Sequence, residues 1–207
     1  TLVFQSARAM SCDRKIGPYD CCSVVCGDCL ELIKALPDGC VDAVITDPPF
    51  NAGKEFSNDA LSADDWKRFC HKFSFLISRL HPVNVLVEVS KSDVEMSRQL
   101  DTFFIRKLAI CLNYTNSMRN GAVGYSNFGL VLWYGGTCRN RYMDRLDAPL
   151  ESNIGEFEHP SPKQIRHYER LVEMFTEVGE AILDPFAGSG TTGVAAKKLG
   201  RHFLLFE

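Results

Sequence analysis

Two stretches of the chain carry acids, prolines and glycines directly after runs of apolar residues. The run 41–46 ends in Asp47-Pro48-Pro49-Phe50, and the run 181–183 ends in Asp184-Pro185-Phe186-Ala187-Gly188-Ser189-Gly190-Thr191-Thr192. A buried strand, a glycine turn and a helix in that order present a nucleotide-like ligand at the carboxyl edge of an open α/β sheet. Two such strand ends predict two ligands at one edge.

The second stretch also satisfies a more general nucleotide-binding pattern. Gly188, Gly190 and Gly193 match G-x-G-x-x-G, the fingerprint of dinucleotide sites. Glu207, after the next strand, is suited to accept hydrogen bonds from both ribose hydroxyls of a nucleoside cofactor. These residues alone leave a nicotinamide-dependent oxidoreductase open as an alternative.

Together the stretches resemble the S-adenosylmethionine-dependent DNA amino-methyltransferases. The catalytic loop of that family is Asp/Asn/Ser-Pro-Pro-Tyr/Phe, and its cofactor loop is similar to Asp-Pro-Phe-x-Gly-x-Gly. The catalytic loop comes first here, and His159-Pro160-Ser161-Pro162-Lys163 leads into the helix before the cofactor strand. This order resembles the circularly permuted beta group, and the resemblance covers residues 24–51 and 159–207.

The resemblance implies an activity and a catalytic loop, Asp47, Pro48, Pro49 and Phe50. Asp47 would accept one hydrogen of the target amino group, the carbonyl of Pro48 would accept the other, and Phe50 would stack on a flipped base. Asp47 resembles the adenine group, so we expect methyl transfer from S-adenosylmethionine to adenine in DNA, as in restriction-modification. Cytosine N4, RNA adenine and an inactive nucleic-acid-binding module stay open.

The resemblance also implies a set of cofactor contacts. Asp28 follows an early strand, where an acid of the family contacts the adenine of the cofactor, although it is equally suited to cap the following helix. The predicted cofactor-binding residues are Asp28, Asp47, Lys163, Asp184, Pro185, Phe186, Ala187, Gly188, Ser189, Gly190, Thr191, Thr192 and Glu207.

Nucleic-acid contacts are predicted in two polar segments. Asn51 and Lys54 follow the catalytic loop, and the short insertion 135–158 is a candidate target-recognition region. Within it, Arg139, Arg141 and Arg145 flank Tyr142, which suits phosphate contact and base stacking. The net charge of −3 gives no overall attraction to DNA, so binding would need such a local patch.

The alternation of strand and helix patterns predicts a single α/β domain over residues 1–207. We expect a Rossmann-like, mainly parallel sheet with helices on both faces, and the strand ending at Cys26 beside the strand ending at Phe206. Residues 1–20 lack periodicity and predict a flexible arm. The sequence ends at Glu207, before the helix that follows this strand in the family. We therefore expect one face of the sheet to expose an apolar patch and the chain to form a homodimer.

Nine cysteines in a chain with a sizeable apolar core favour reduced thiols and a cytoplasmic location. Cys22, Cys26 and Cys29 have the spacing C-x3-C-x2-C, which resembles the iron–sulfur ligands of radical S-adenosylmethionine enzymes. The strand pattern around Cys22 favours buried thiols instead, so no metal is expected. The sequence shows no secretory signal and no run of the ~20 apolar residues that would span a bilayer.

Overall fold

The computed structural model describes residues 12–51, 60–91, 94–116, 119–121, 124–149 and 163–207; of residues 119–121 and 124–126 it describes the backbone alone. Lys54 and the segments 1–11 and 150–162 lie outside these ranges, so the expectations that fall on them stay predictions. No helix in the described ranges is long and apolar enough to cross a membrane.

Twelve strands and five helices lie within the described residues. The strands are β1 Lys15–Ile16, β2 Tyr19–Asp20, β3 Ser23–Val25, β4 Ala43–Thr46, β5 Asn84–Val89, β6 Arg106–Tyr114, β7 Arg119–Gly121, β8 Gly124–Ser126, β9 Phe128–Gly135, β10 Arg145–Ala148, β11 Ala181–Asp184 and β12 His202–Phe206. The helices are α1 Cys29–Lys34, α2 Ala63–Arg79, α3 Glu95–Phe103, α4 Ile165–Phe175 and α5 Thr191–Lys198.

Eight strands form one sheet in the order β10-β6-β9-β5-β4-β11-β12-β3. Strand β9 is antiparallel to both of its neighbours, and every other neighbouring pair is parallel. Val25 of β3 pairs with Phe206 of β12, so the predicted adjacency of these two strands is confirmed. The predicted α/β class with a mainly parallel sheet is confirmed as well.

The helices cover both faces of the sheet and enclose two apolar clusters. One cluster contains Ile33 of α1, Phe73 of α2 and Leu100 of α3. The other contains Leu171 of α4 and Ala195 of α5. Residues at helical spacing in α2 and α4 form these buried faces, because burying an apolar stripe is what stabilises an amphipathic helix against a sheet.

Two predicted boundaries are wrong. Residues 12–20, expected in a flexible arm, include the antiparallel pair β1–β2, and Ile16 is buried in the first cluster. The predicted insertion 135–158 contains β10, which joins the sheet beside β6 through parallel pairing. Short strands of two to four residues leave almost no periodicity, so their pairing partners, and not their own pattern, determine them.

Gly135 is a position where we expect any side chain to destabilise the fold. Its φ is +121°, and a Cβ there would lie 2.2 Å from the carbonyl oxygen of Val83. Gly135→Ala is therefore expected to lower the free energy of unfolding by ~2–4 kcal/mol, measured by urea unfolding.

The adjacent glycine provides the matched control. A Cβ on Gly136 would lie 3.9 Å from Cγ1 of Val83, at ordinary contact distance. Gly136→Ala is expected to change the free energy of unfolding by less than ~1 kcal/mol. Equal losses in the two variants would contradict the assignment of the strain to Gly135.

Candidate active site

The acids that follow the central strands meet at the carboxyl edge of the sheet. Asp47 follows β4, Asp184 ends β11 and Glu207 follows β12, and these three strands are neighbours. A cleft of about 290 Å³ opens there, lined by Asp47, Lys163, Tyr168, Asp184, Phe186, Ala187, Gly188, Ser189, Thr191 and Thr192. The two motifs therefore share one site, as the sequence predicts.

Asp184 is buried and connects the elements of the cleft. Its Oδ1 accepts hydrogen bonds from the hydroxyl of Thr46 (2.6 Å) and the amide of Phe186 (3.1 Å), and its Oδ2 accepts one from the hydroxyl of Thr192 (2.6 Å). Burial raises the pKa of Asp184, and the bonds from Thr192 and Thr46 oppose that rise. Because donors from the protein occupy both of its oxygens, the carboxylate of Asp184 holds the glycine turn in position.

The glycine turn carries the chain from β11 into α5. Gly188 and Gly190 have φ values of +50° and +78°, which glycine adopts without a steric cost, and Gly190 is the N-cap of α5. The amide of Gly188 donates to Oε2 of Glu207 at 2.7 Å. Glu207 is thereby held at the rim of the cleft.

Asp28 lies at the end of the neighbouring strand. It follows β3 and caps α1, since its Oδ1 accepts from the amides of Leu30 (2.8 Å) and Glu31 (3.2 Å). The amide of Gly27 donates to the backbone carbonyl of Glu207 at 3.0 Å, which ties the ends of β3 and β12 together. The capping role is therefore observed, and a contact with a cofactor stays a prediction.

Lys163 joins two carboxylates at the base of the catalytic loop. Its Nζ lies 2.7 Å from Oδ2 of Asp47 and 3.0 Å from Oε1 of Glu88. Glu88 is buried, and its Oε2 lies 3.5 Å from the hydroxyl of Tyr168. Two acids share one cation here, so the group as a whole has an excess of negative charge when both acids are ionised.

The pKa values of this group follow from its burial. Burial and the neighbouring Glu88 raise the pKa of Asp47 to about 7, although Lys163 opposes the rise. Burial disfavours the charged form of Lys163, but the two carboxylates outweigh this effect and raise its pKa above the usual value. Lys163 therefore stays protonated at neutral pH, and Asp47 exchanges its proton near pH 7.

The catalytic loop also lines a second, narrow recess, called here the smaller cleft. Its walls are Pro48, Pro49, Phe50, Trp66, Glu88, Val89, Ser90 and Met96. The Nζ of Lys163 lies 5.8 Å from the centre of the Phe50 ring. The loop thus separates the cleft of the glycine turn from an aromatic and apolar recess.

The side chain of Asn51 is hydrogen-bonded within the chain. It accepts from the amide of Leu61 (2.7 Å) and donates to the carbonyl of Leu61 (3.1 Å). These bonds fix the orientation of the amide beside the catalytic loop, and its contact with nucleic acid stays a prediction.

The arginines of the predicted recognition segment do not lie beside Asp47. Arg139 pairs with Glu180 (3.3 Å) at the opposite edge of the sheet, before β11 begins. Tyr142 lies against α4, where its hydroxyl contacts Glu173 (3.3 Å). Arg145 pairs with Asp147 (2.8 Å) on β10, four strands from β4 and therefore roughly 19 Å across the sheet.

These residues lie away from Asp47, and their contacts with nucleic acid stay predictions. Arg141 is exposed between them. Composition alone did not show that the carboxylates of Glu180 and Asp147 pair with Arg139 and Arg145.

Three site residues escaped the sequence analysis: Thr46, Glu88 and Tyr168. Glu88 had a usable signal, because it is a charge inside the otherwise apolar run 85–89. A buried charge requires a partner, and here the partner is Lys163. Thr46 and Tyr168 had no comparable signal, since a threonine in a strand and a tyrosine on a helix are common in any core.

Thr192 offers a test of the hydrogen bonds that hold Asp184. Thr192→Val keeps the side-chain shape and removes the donor to Oδ2 of Asp184. A buried carboxylate oxygen without its donor is expected to lower the free energy of unfolding by about 1–3 kcal/mol, measured by urea unfolding.

Thr191 is the matched control, because its hydroxyl contacts only the hydroxyl of Ser189 (3.0 Å) among the hydrogen bonds described, at the surface. Thr191→Val is expected to change the free energy of unfolding by no more than about 0.5 kcal/mol. An equal effect of both substitutions would mean that the bond to Asp184 contributes nothing.

Comparison with other sequences identifies similar proteins that are methyltransferases. Residues 133–207 match the model of a protein family described as DNA methylase. The chain is 25% identical to the type II methyltransferase M.BamHI of Bacillus amyloliquefaciens, over 94% of this chain and 57% of that protein. It is 20% identical to M.HpaI of Haemophilus parainfluenzae, over 86% of this chain and 67% of that protein. The chain thus spans little more than half the length of M.BamHI.

Solved structures share the fold. The PvuII DNA methyltransferase (cytosine-N4-specific) superposes with a TM-score of 0.73 at 18% identity, over 89% of this chain and 81% of that one. The M1.HpyAVI–SAM complex gives a TM-score of 0.66 at 24% identity, over 89% and 92%. The two motifs at one sheet edge, the family match over residues 133–207 and the shared fold make the chain similar to the N6-adenine and N4-cytosine DNA methylases.

Proposed function

We propose that this protein transfers a methyl group from S-adenosylmethionine to the exocyclic amino group of adenine in DNA. The observation that carries the proposal is the buried Oδ1 of Asp47. Its Oδ1 is shielded from solvent and accepts no hydrogen bond from any described residue, although it borders the cleft of the glycine turn. A buried acceptor without a donor is costly, and an amino hydrogen of a bound substrate would supply that donor.

The residues around the larger cleft fit a cofactor of this kind. Asp28 and Glu207 offer carboxylates at the ends of adjacent strands, suited to the hydroxyls and amino group of an adenosine. Gly188 and Gly190 let backbone approach the ligand closely. The carboxylates of Asp47 and Asp184 give the cleft an acidic character that favours a cationic sulfonium over a pyrophosphate.

S-adenosylmethionine supplies an electrophilic methyl group on its sulfonium. The target amine is a poor nucleophile because its lone pair is delocalised into the ring of the base. Asp47 would accept one amino hydrogen and the carbonyl of Pro48 the other, which favours a tetrahedral nitrogen. Two prolines in succession hold these acceptors in a rigid turn.

Lys163 and Glu88 act on this reaction through Asp47. The ion pair between Lys163 and Asp47 holds the carboxylate in position and favours its ionised form, while Glu88 keeps the ammonium group in place. Phe50 and the smaller cleft offer an aromatic face and an apolar recess for an unstacked base. The base would thus meet Asp47 from the side opposite the glycine turn.

The choice of adenine rests on the acid of the catalytic loop. A carboxylate accepts a stronger hydrogen bond than a hydroxyl, and Asp47 resembles the adenine group, whereas serine is common in the cytosine group. Because a cytosine-N4-specific enzyme has a similar fold, cytosine is tested as the alternative target base. Identification of the methylated base decides between them.

DNA would approach the carboxyl edge of the sheet, since Asp47 and both clefts open there. Lys91, just after β5, lies at this edge, with its Nζ 3.0 Å from the carbonyl of Phe128. The antiparallel pair β7–β8 lies between β6 and β9 in sequence, and the flanking residues Asn113 and Phe128 pair at the same edge. We propose Lys91 and the β7–β8 pair, alongside the predicted 135–158 segment, as contacts for the DNA backbone.

We also propose that two copies of the chain associate, as the resemblance to the beta group implies. Sedimentation equilibrium over a wide concentration range tests this, and the mass of a single chain at every concentration would contradict it.

The central experiment measures tritiated methyl transfer to DNA and to RNA in separate reactions, with digestion to nucleosides. Label is expected in N6-methyladenine from DNA. Asp47→Ala is expected to reduce transfer by ~10²-fold or more and to change the affinity for S-adenosylmethionine by less than about threefold, because one acceptor in the transition state is lost.

Asp38→Ala provides the control, since Asp38 is an exposed acid that pairs with Arg79. Its transfer rate is expected to equal that of the unmodified protein. Label in 4-methylcytosine would overturn the adenine assignment. An Asp47→Ala variant with an undiminished rate would overturn the mechanism.

The pH profile tests the role of Lys163. Protonated Asp47 cannot accept the amino hydrogen, so kcat/KM is expected to fall as the pH falls through about 7. Lys163 opposes the rise in the pKa of Asp47, so Lys163→Met is expected to move this acid limb to higher pH. Lys163→Arg, which keeps the charge, is expected to restore the limb in part.

Lys198→Met is the matched control for this profile, because Lys198 pairs with Glu169 on the surface of the neighbouring helix. It is expected to leave the profile unchanged. A shift of the acid limb to lower pH in Lys163→Met would show that Lys163 does not favour ionised Asp47.

A further inference from the structure

Three cysteines and a histidine converge at the end of the sheet opposite the active site. The Nδ1 of His202 lies 3.1 Å from Sγ of Cys21 and 3.3 Å from Sγ of Cys12, and Sγ of Cys22 lies 3.4 Å from Sγ of Cys21. All four ligand atoms lie within 4.8 Å of one another. Cys21 is buried and the other three residues are partly buried, so an ion could enter from the surface.

The backbone is arranged to bring these side chains together. Cys21 and Cys22 form the turn between β2 and β3, and Cys22 has a φ of +58°, which a residue other than glycine rarely adopts. The amide of Cys22 donates to the carbonyl of Phe203 at 2.7 Å, beside His202 at the start of β12. A strained turn that points two thiols at one imidazole is a feature typical of a ligand site.

We propose that Cys12, Cys21, Cys22 and His202 bind one Zn²⁺ ion, His202 through Nδ1. Three cysteines and one histidine are a ligand set of structural zinc, with Zn–S distances of about 2.3 Å and Zn–N distances of about 2.0–2.1 Å. Neutral thiols are weak hydrogen-bond donors, so their mutual contacts alone stabilise such a cluster little. Binding releases the three thiol protons to solvent and gives a closed four-ligand site.

This set differs from the cysteine spacing noted in the sequence. Cys26 is exposed and Cys29 is the buried first residue of α1, and neither belongs to the group of ligand atoms around Cys22. Among the described residues, the cluster with His202 is the group of acids, cysteines and histidines close enough to share an ion. His202 is 180 residues from Cys22 in sequence, so spacing alone could not reveal it.

The site connects the first described residues to the cofactor edge. The ion would hold Cys12 and the β1–β2 hairpin against the start of β12, and the same strand ends at Phe206, next to Glu207. Because β12 rises roughly 3.3 Å per residue, the ion lies about 13 Å from that end and takes no part in methyl transfer. Its role is to stabilise the two outer strands, β12 and β3.

The experiment measures metal in the full chain, purified in reducing buffer without chelator. The protein is expected to contain about one zinc per chain, and cobalt(II) in its place is expected to give the visible bands of a tetrahedral ion with thiolate-to-metal charge transfer. Removal of the metal is expected to lower the midpoint of thermal unfolding. None of these measurements depends on methyl transfer.

Matched variants identify the ligands. Cys21→Ser is expected to reduce the zinc content to less than about one tenth, and Cys26→Ser, an exposed cysteine nearby, to leave it unchanged. His202→Cys is expected to keep the ion and to strengthen the charge-transfer band by about a third, because a fourth thiolate replaces the imidazole.

Two results would overturn the proposal. One is folded, reduced protein that contains no zinc and gives no tetrahedral cobalt spectrum, which needs no variant and so is unaffected if Cys21→Ser fails to fold. The other is a disulfide between Cys12 and Cys21 in protein protected from air, detected by mass spectrometry after digestion. That bond would remove two of the four ligands.

Discussion

The buried carboxylate of Asp184 is the constraint on which the two motifs of the site depend. It accepts hydrogen bonds from Thr46 on the catalytic strand and from Thr192 at the start of α5, both at 2.6 Å. A buried carboxylate that lacks its donors is destabilising, so both hydroxyls contribute to the stability of the fold. The position of Asp47 relative to the glycine turn therefore depends on hydrogen bonds between the ends of the two strands.

A second constraint is the balance of charge around Asp47. One cation, Lys163, contacts two carboxylates. Burial and the charge of Glu88 raise the pKa of Asp47 to about 7, and Lys163 opposes that rise. Glu88 therefore has two opposite effects: it fixes the ammonium group that positions Asp47, and it makes the ionisation of Asp47 harder.

The sequence predicts the parts of the fold that leave a recognisable pattern in a short stretch of residues. The acids after β4 and β11 could be assigned because a buried strand, a proline and a turn leave a clear signal. The contact of Thr46 with Asp184 could not, because it joins residues 138 positions apart and depends on strand register. The strands β1, β2 and β10 are too short for a periodic pattern, and a pairing partner determines each of them.

The segment rich in arginine shows what composition alone leaves open. Its composition suits phosphate contact, yet the acids that pair with Arg139 lie on a distant part of the chain. Composition shows which charges a segment carries, but not which of them are already neutralised by a neighbour. Paired surface charges of this kind contribute little to stability, so a phosphate could compete for the exposed ones.

For the proposed reaction on DNA, the acidity of the site limits how the substrate can reach it. Asp47, Glu88, Asp184 and Glu207 lie along one edge of the sheet, with Lys163 as their compensating cation among the residues that line the larger cleft. Such a field favours a cationic cofactor and repels phosphates at close range. A base rotated out of the helix enters as a neutral ring while its phosphates stay outside. In the proposed reaction, the acidic cleft therefore favours the sulfonium and Asp47 accepts an amino hydrogen, without direct repulsion from the DNA backbone.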